Sequence, residues 1–152
     1  MSATTLQKLE ARPFVGIRRQ LNVTQIVPFF TEAFPKVMGW LAAKGIEPAS
    51  MPMAVWLKMD METGIADCHA GCFVHEAVEG EGEITAGETT AGEALTVTHT
   101  GPYDTVGQTW MLLFQMAADM ERRPGAGWEI YVDDPEQTPA AKVRTEIHLP
   151  LL

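Results

Sequence analysis

Residues 93–103 read Glu93-Ala94-Leu95-Thr96-Val97-Thr98-His99-Thr100-Gly101-Pro102-Tyr103, and at this stretch the chain starts over. Positions 93–99 alternate apolar and polar like a half-buried strand. Gly101-Pro102 breaks the alternation. A helix then fits residues 103–122, with Val106, Trp110, Leu113, Ala117 and Met120 on one stripe. Asp104 in its first turn and Arg122 and Arg123 in its last suit the helix dipole. Pro124, Gly125 and Gly127 end it, Trp128–Val132 reads as a strand, and Asp133-Asp134-Pro135 opens a loop. A last strand at 141–149 places Val143, Thr145, Ile147 and Leu149 on one face.

Upstream the same order occurs once already. Residues 10–20 read as a strand carrying Phe14, Val15 and Ile17. Residues 24–30, with Pro28, read as a turn or short helical piece. A helix fits 31–44, with Thr31 as N-cap and Gly45 as its stop. Residues 52–60 and 65–78 read as two further strands. The acidic, glycine-rich run Glu79-Gly80-Glu81-Gly82-Glu83, continuing to Gly87 and Gly92, reads as an exposed connection. Strand, helix, strand, strand is thus given twice, about 8–78 and 93–152, within one domain spanning 1–152. Met53-Ala54-Val55-Trp56-Leu57 parallels Trp128-Glu129-Ile130-Tyr131-Val132, so that Ala54 falls on Glu129 and Trp56 on Tyr131. One half supplies room there and the other supplies a charge.

Bulk composition narrows the function classes. The chain has 152 residues, the size of one domain, and 46% hydrophobic content, enough for a core without staples. A formal charge of −9 repels phosphate backbones and anionic headgroups, so neither nucleic acid nor membrane is an expected direct partner. Two cysteines, Cys68 and Cys72, are too few for a disulfide framework. With no basic-then-apolar leader and no membrane-length apolar run, a cytoplasmic location is expected. Cys68, His69, Cys72 and His75 raise a metal question, but on one strand Cys68 and Cys72 share a face while His69 and His75 share the other. No metal and no cofactor is expected. There is no Gly-x-Ser-x-Gly elbow, phosphate loop or dinucleotide fingerprint.

The ordered set His99-Thr100-Gly101-Pro102-Tyr103, helix, Gly127-Trp128-Glu129-Ile130-Tyr131, Asp134-Pro135 and Thr145-Glu146-Ile147-His148-Leu149-Pro150 resembles the GyrI-like small-molecule-binding domain. That domain also serves as the effector-binding part of AraC-type and multidrug-responsive regulators. The resemblance implies an α+β fold of two βαββ modules with pseudo-twofold symmetry, an antiparallel sheet, two main helices and a central ligand groove. It implies that Glu129 is the central polar residue of the pocket and that Tyr103 can reach it. It is stronger over 93–152 than over 10–78, where it rests on element order and residues such as Arg18. Members fused to a helix-turn-helix module are ligand-sensing regulators; no such motif is read in residues 1–152, so direct transcriptional control is not expected. Some free-standing members hydrolyse strained cyclopropane-bearing toxins with the glutamate and tyrosine positions.

The residues allow more than one chemistry. A carboxylate among Trp128, Ile130 and Tyr131 either stays charged and attracts a cation, with aromatic faces adding to the attraction, or is desolvated into a proton donor. Tyr103 can hydrogen-bond Glu129 or a ligand oxygen through its hydroxyl. Trp56 and Tyr131, sharing faces with Ala54 and Glu129, can form apolar walls or simply pack in the core. Trp110 lies on the helix stripe and reads as core. The leading expectation is a small-molecule binder of sensor or sequestering type for aromatic or cationic compounds, with ligand-binding residues Glu129, Tyr103, Trp56, Tyr131 and Ala54. The second is a hydrolase of strained electrophiles with Glu129 and Tyr103 as catalytic residues. A third is a protein partner, with the acidic surface mimicking nucleic acid. Oligomeric state is open.

Overall fold

In the computed structural model, which describes residues 3–60 and 62–152, the chain divides into two units. Arg12–Thr89 forms one; the chain up to Ala11 together with Thr90–Leu152 forms the other. Each is a four-stranded antiparallel sheet with one helix, so the fold is α+β with eight strands in all.

The N-terminal unit runs β2 (Pro13–Asn22), a 3-10 turn (Val23–Gln25), α1 (Ile26–Lys44), β3 (Met53–Asp60), β4 (Ile65–Phe73) and β5 (Ile84–Glu88), with sheet order β3-β4-β2-β5. Period-two alternation puts Val15, Ile17, Cys68, Ala70 and Cys72 on the face that meets Phe29, Ala33, Val37 and Leu41 of α1. Where β2 and β4 draw together the chain uses glycine on both strands, Gly16 against Gly71. A Cβ on Gly71 would lie 1.9 Å from the Val15 carbonyl oxygen, so no side chain fits.

The C-terminal unit runs β6 (Gly92–Thr100), a 3-10 turn (Tyr103–Thr105), α2 (Val106–Asp119), β7 (Gly127–Tyr131) and β8 (Arg144–Pro150). Its outer strand is β1 (Thr5–Leu9), contributed by the start of the chain, and the order is β1-β6-β8-β7. Leu95, Val97, Ile147 and Leu149 of the sheet pack against Val106, Leu113 and Ala117 of α2. Val143, Thr145, Ile147 and Leu149 are all buried, as the alternation predicted.

The internal repeat is visible in register. Ile17 pairs with Ala70 and Ala70 with Ala54; Val97 pairs with Ile147 and Ile147 with Glu129. One step along, Trp56 pairs with Cys68 and Tyr131 with Thr145. The buried helix positions Phe29, Ala33 and Val37 correspond in the same way to Thr109, Leu113 and Ala117.

Several element boundaries differ from the sequence reading. The helix expected to begin at Thr31 begins at Ile26, and the turn before it is closed by a capping box of Asn22 and Gln25 rather than by Thr31. Thr31 instead bonds back to the Val27 carbonyl at 2.9 Å, and Pro35 sits inside the helix. The second helix ends at Asp119, so Arg122 lies beyond it, where it holds Glu93 and the Leu151 and Leu152 carbonyls. The strand expected over 65–78 stops at Phe73. The acidic run 79–83 is exposed, but the residues after it form β5, an edge strand on β2. Both β5 and β1 are largely exposed, so neither carries the apolar alternation of a half-buried strand, and β1 escaped the sequence reading for that reason.

Candidate functional site

Strand β7 buries its helix-side face under α2, and that face carries Gly127, Glu129 and Tyr131. Gly127 leaves the seat on which the Trp110 indole rests: a Cβ there would come within 2.6 Å of the ring. Seated so, Trp110 donates its indole N–H to Glu129 Oε1 at 2.5 Å. Tyr131, two residues along the same face, donates its hydroxyl to Oε2 at 2.6 Å. Glu129 is only 6% exposed. Withdrawing a carboxylate from water costs several kcal/mol, and one donor on each oxygen offsets part of that cost.

Rings surround the carboxylate. Phe114 stacks on Trp110 at 5.8 Å between centroids, and Tyr103 stands edge-on to Tyr131 at 5.7 Å. Tyr103 is 41% exposed, at the opening turn of the helix. Its hydroxyl pKa is raised, first by partial burial and then by the negative charges of Asp133, Asp134 and Glu129. Three carboxylates therefore act on one phenol. Asp133 is partly neutralised by Arg144, which it meets at 2.9 Å.

The structure brings Glu129 and Tyr131 together on one strand face. Of the two partners the sequence allowed Tyr103 (Glu129 or a ligand oxygen), the first is met by the Tyr131 phenol, and Tyr103 stands edge-on to Tyr131. Trp110, read as core, does pack half-buried against the core under α2, and its N–H in addition bonds the carboxylate. The available signal was chemical: a helix Trp facing a strand Glu has a donor that needs an acceptor once desolvated. Gly127 was read as a helix stop only. Trp56 and Ala54 lie in the N-terminal unit. Ala54 is fully buried, and Trp56 packs on Phe30 at 6.2 Å, with an indole N–H that is buried without a hydrogen-bond partner among the described residues.

Elsewhere, Cys68 and Cys72 lie in the core under α1, and burial pushes the Cys72 thiol up to about 11. His69 is on the opposite face of β4, edge-on to Phe14 at 5.1 Å, and His75, expected on the same strand, lies beyond its end at Phe73. Two open depressions lie away from Glu129: one of about 370 Å3 edged by Thr5, Gln7, Thr96, Thr98, Glu146 and His148, and one of about 180 Å3 edged by Lys58, Asp60 and Asp67. Among the described residues no helix is long and apolar enough to cross a membrane.

Glu129 with its two donor rings is the candidate site of this duplicated α+β scaffold. The chain belongs to the GyrI-like family: the model of the GyrI-like small molecule binding domain matches residues 3–152. No curated protein matches it in sequence. Among solved structures, the EcmrR C-terminal domain superposes with a TM-score of 0.77 at 18% identity, covering 99% of this chain and 97% of that one. In the EcmrR–DNA complex the TM-score is 0.81 at 19% identity, over 98% of this chain and 57% of the longer EcmrR chain. SAV2435 bound to tetraphenylphosphonium gives 0.69 at 13% identity, covering 99% of this chain and 94% of that one. A hydrolase from Listeria innocua gives 0.66 at 14%, covering 98% and 91%. At these identities the likeness is one of fold.

Proposed function

We propose that this chain binds lipophilic organic cations at its C-terminal unit, with Glu129 as the counter-ion and Trp110, Tyr131 and Tyr103 as the ring contacts. The observation that carries this reading is the buried Glu129 carboxylate clamped between an indole N–H and a phenol O–H. Both bonds leave the oxygens as acceptors, so the group presents negative charge in a medium of low polarity, where attraction to a cation is strongest. Asp133 and Asp134 extend the negative field to the exposed Tyr103, and the ring faces add cation–π attraction. The fold is shared with SAV2435, solved with a phosphonium cation. Ala54 and Trp56 are the matching positions of the N-terminal unit; Trp56→Ala reports whether they contribute.

Calorimetry with tetraphenylphosphonium tests the reading. Glu129→Gln keeps the shape and removes the charge, and is expected to weaken binding by about tenfold or more. The neutral triphenylphosphine oxide is expected to bind more weakly than the cation. Equal affinity of wild type and Glu129→Gln, or of cation and neutral compound, overturns it.

The fold shared with a Listeria innocua hydrolase, together with the Tyr131–Glu129 bond, supports a second reading as a hydrolase of strained electrophiles. Glu129 would take a proton from water, the oxygen would bond to a cyclopropane carbon, and the opened carbon chain would receive the proton, with Tyr103 orienting the substrate. Mass spectrometry for a ring-opened product, absent with Glu129→Gln, decides it; no turnover across a panel of cyclopropanes leaves binding alone.

A further inference from the structure

The turn that carries Tyr103 has no cap of its own. Pro102 precedes it without a side-chain bond, and Thr105, at the start of α2, makes none to the helix backbone. The turn is held instead from β6. His99 Nε2 lies 2.8 Å from Thr105 Oγ1, and His99 Nδ1 lies 3.0 Å from Thr109 Oγ1. His99 and Thr109 are both buried. Thr105 has one hydroxyl proton, which goes to the Pro102 carbonyl at 2.8 Å. Its oxygen is then left to accept from His99 Nε2–H, while His99 Nδ1 faces the Thr109 hydroxyl.

The N-terminal unit holds the equivalent turn differently. There Asn22 and Gln25 form a local capping box. Arg19, the counterpart of His99, places its guanidinium 4.8 Å from the ring of Phe29, the counterpart of Thr109. The residue the N-terminal turn presents is Val23, where the C-terminal turn presents Tyr103. An imidazole bridge from the preceding strand thus replaces a local cap in the unit that has the buried carboxylate.

We propose that His99 is a positioning residue for the ligand site: its bridge to Thr105 and Thr109 fixes the 3-10 turn so that Tyr103 stands edge-on against Tyr131. The functional half of this inference rests on the cation-binding reading; the structural half does not. Without the bridge, the turn that carries Tyr103 keeps its backbone bonds and the Thr105–Pro102 bond but loses its tie to β6, and the ring no longer keeps one orientation when a ligand arrives.

The protein has two tyrosines, Tyr103 and Tyr131, so 3-fluorotyrosine labelling gives two 19F resonances, assigned with Tyr103→Phe. Thr105→Val keeps the shape and removes both the acceptor for His99 and the donor to Pro102. Its Tyr103 resonance is expected to move toward the solvent-exposed position, and tetraphenylphosphonium affinity to fall by about fivefold to tenfold. Thr105→Ser restores the hydroxyl and should return both to wild type. His99→Gln, whose amide can still donate to Thr105, should be milder than His99→Ala. An unmoved Tyr103 resonance in Thr105→Val overturns the inference even if no ligand binds. A moved resonance with unchanged affinity also overturns it, while failure of the wild type to bind the cation counts against the cation reading and leaves the fluorine result to judge the clasp.

Discussion

The two units share a backbone plan and differ at the positions that carry chemistry. Ala54, Trp56 and Phe30 of the N-terminal unit correspond to Glu129, Tyr131 and Trp110 of the C-terminal unit. In the first, the position is a buried alanine, Phe30 and Trp56 pack on each other, and the Trp56 N–H finds no acceptor among the described residues. In the second, a carboxylate occupies the alanine position and two polar rings satisfy it. The comparison teaches that a buried acid is a set of three substitutions. The acid, the donor on the neighbouring strand position and the donor on the helix have to arrive together, because any one alone leaves an unsatisfied group.

The largest expected effect tests that statement directly. Ala54→Glu buries a carboxylate where Phe30 offers no N–H, and is expected to cost about 3 kcal/mol or more in chemical denaturation. Adding Phe30→Trp supplies the missing indole and should recover about 1 kcal/mol of that loss. Strict additivity of the two changes would break the comparison. A smaller effect is expected at Gly127→Ala, where the new Cβ meets the Trp110 ring at 2.6 Å. It should cost about 1–3 kcal/mol in the same measurement and lower affinity by moving the indole off Glu129. Unchanged stability and binding would show that the Trp110 seat is not what orients the indole.

The smallest effect concerns pH. Asp67 in the N-terminal unit is matched by Arg144 in the C-terminal one, and each is ion-paired: Asp67 with Arg18 at 2.8 Å, Arg144 with Asp133 at 2.9 Å. The Arg18 guanidinium holds the Asp67 carboxyl below its usual range. A lowered folded pKa means stabilisation that is present at neutral pH and is lost as pH falls through that value. With Arg18 largely exposed, solvent screens the pair and the contribution is small. Asp67→Asn should therefore narrow the difference in Tm between pH 7 and pH 3; an unchanged difference would leave the pair without energetic weight.

Most of the scaffold was legible because burial imposes a period. Val143, Thr145, Ile147 and Leu149 alternate because their strand has one buried face, and the helix stripe recurs because α2 has one. The strands β1 and β5 lie at sheet edges and carry no such period, so they were missed. The start of α1 was misplaced because Pro28 and Pro35 read as breakers, whereas the first sits in the opening turn and the second is tolerated within the helix.

For the site, the amino-acid sequence by itself determined the repeat, the pairing of Glu129 with Tyr131 on one strand face, and the contrast with Ala54, since all of these follow from spacing along a strand. Only the tertiary structure decided that Trp110, nineteen residues from Glu129, closes on its carboxylate over Gly127, and that His99 clasps the Tyr103 turn. Those contacts join different elements. Their geometry depends on how closely a helix approaches its sheet, and no local periodicity encodes that distance.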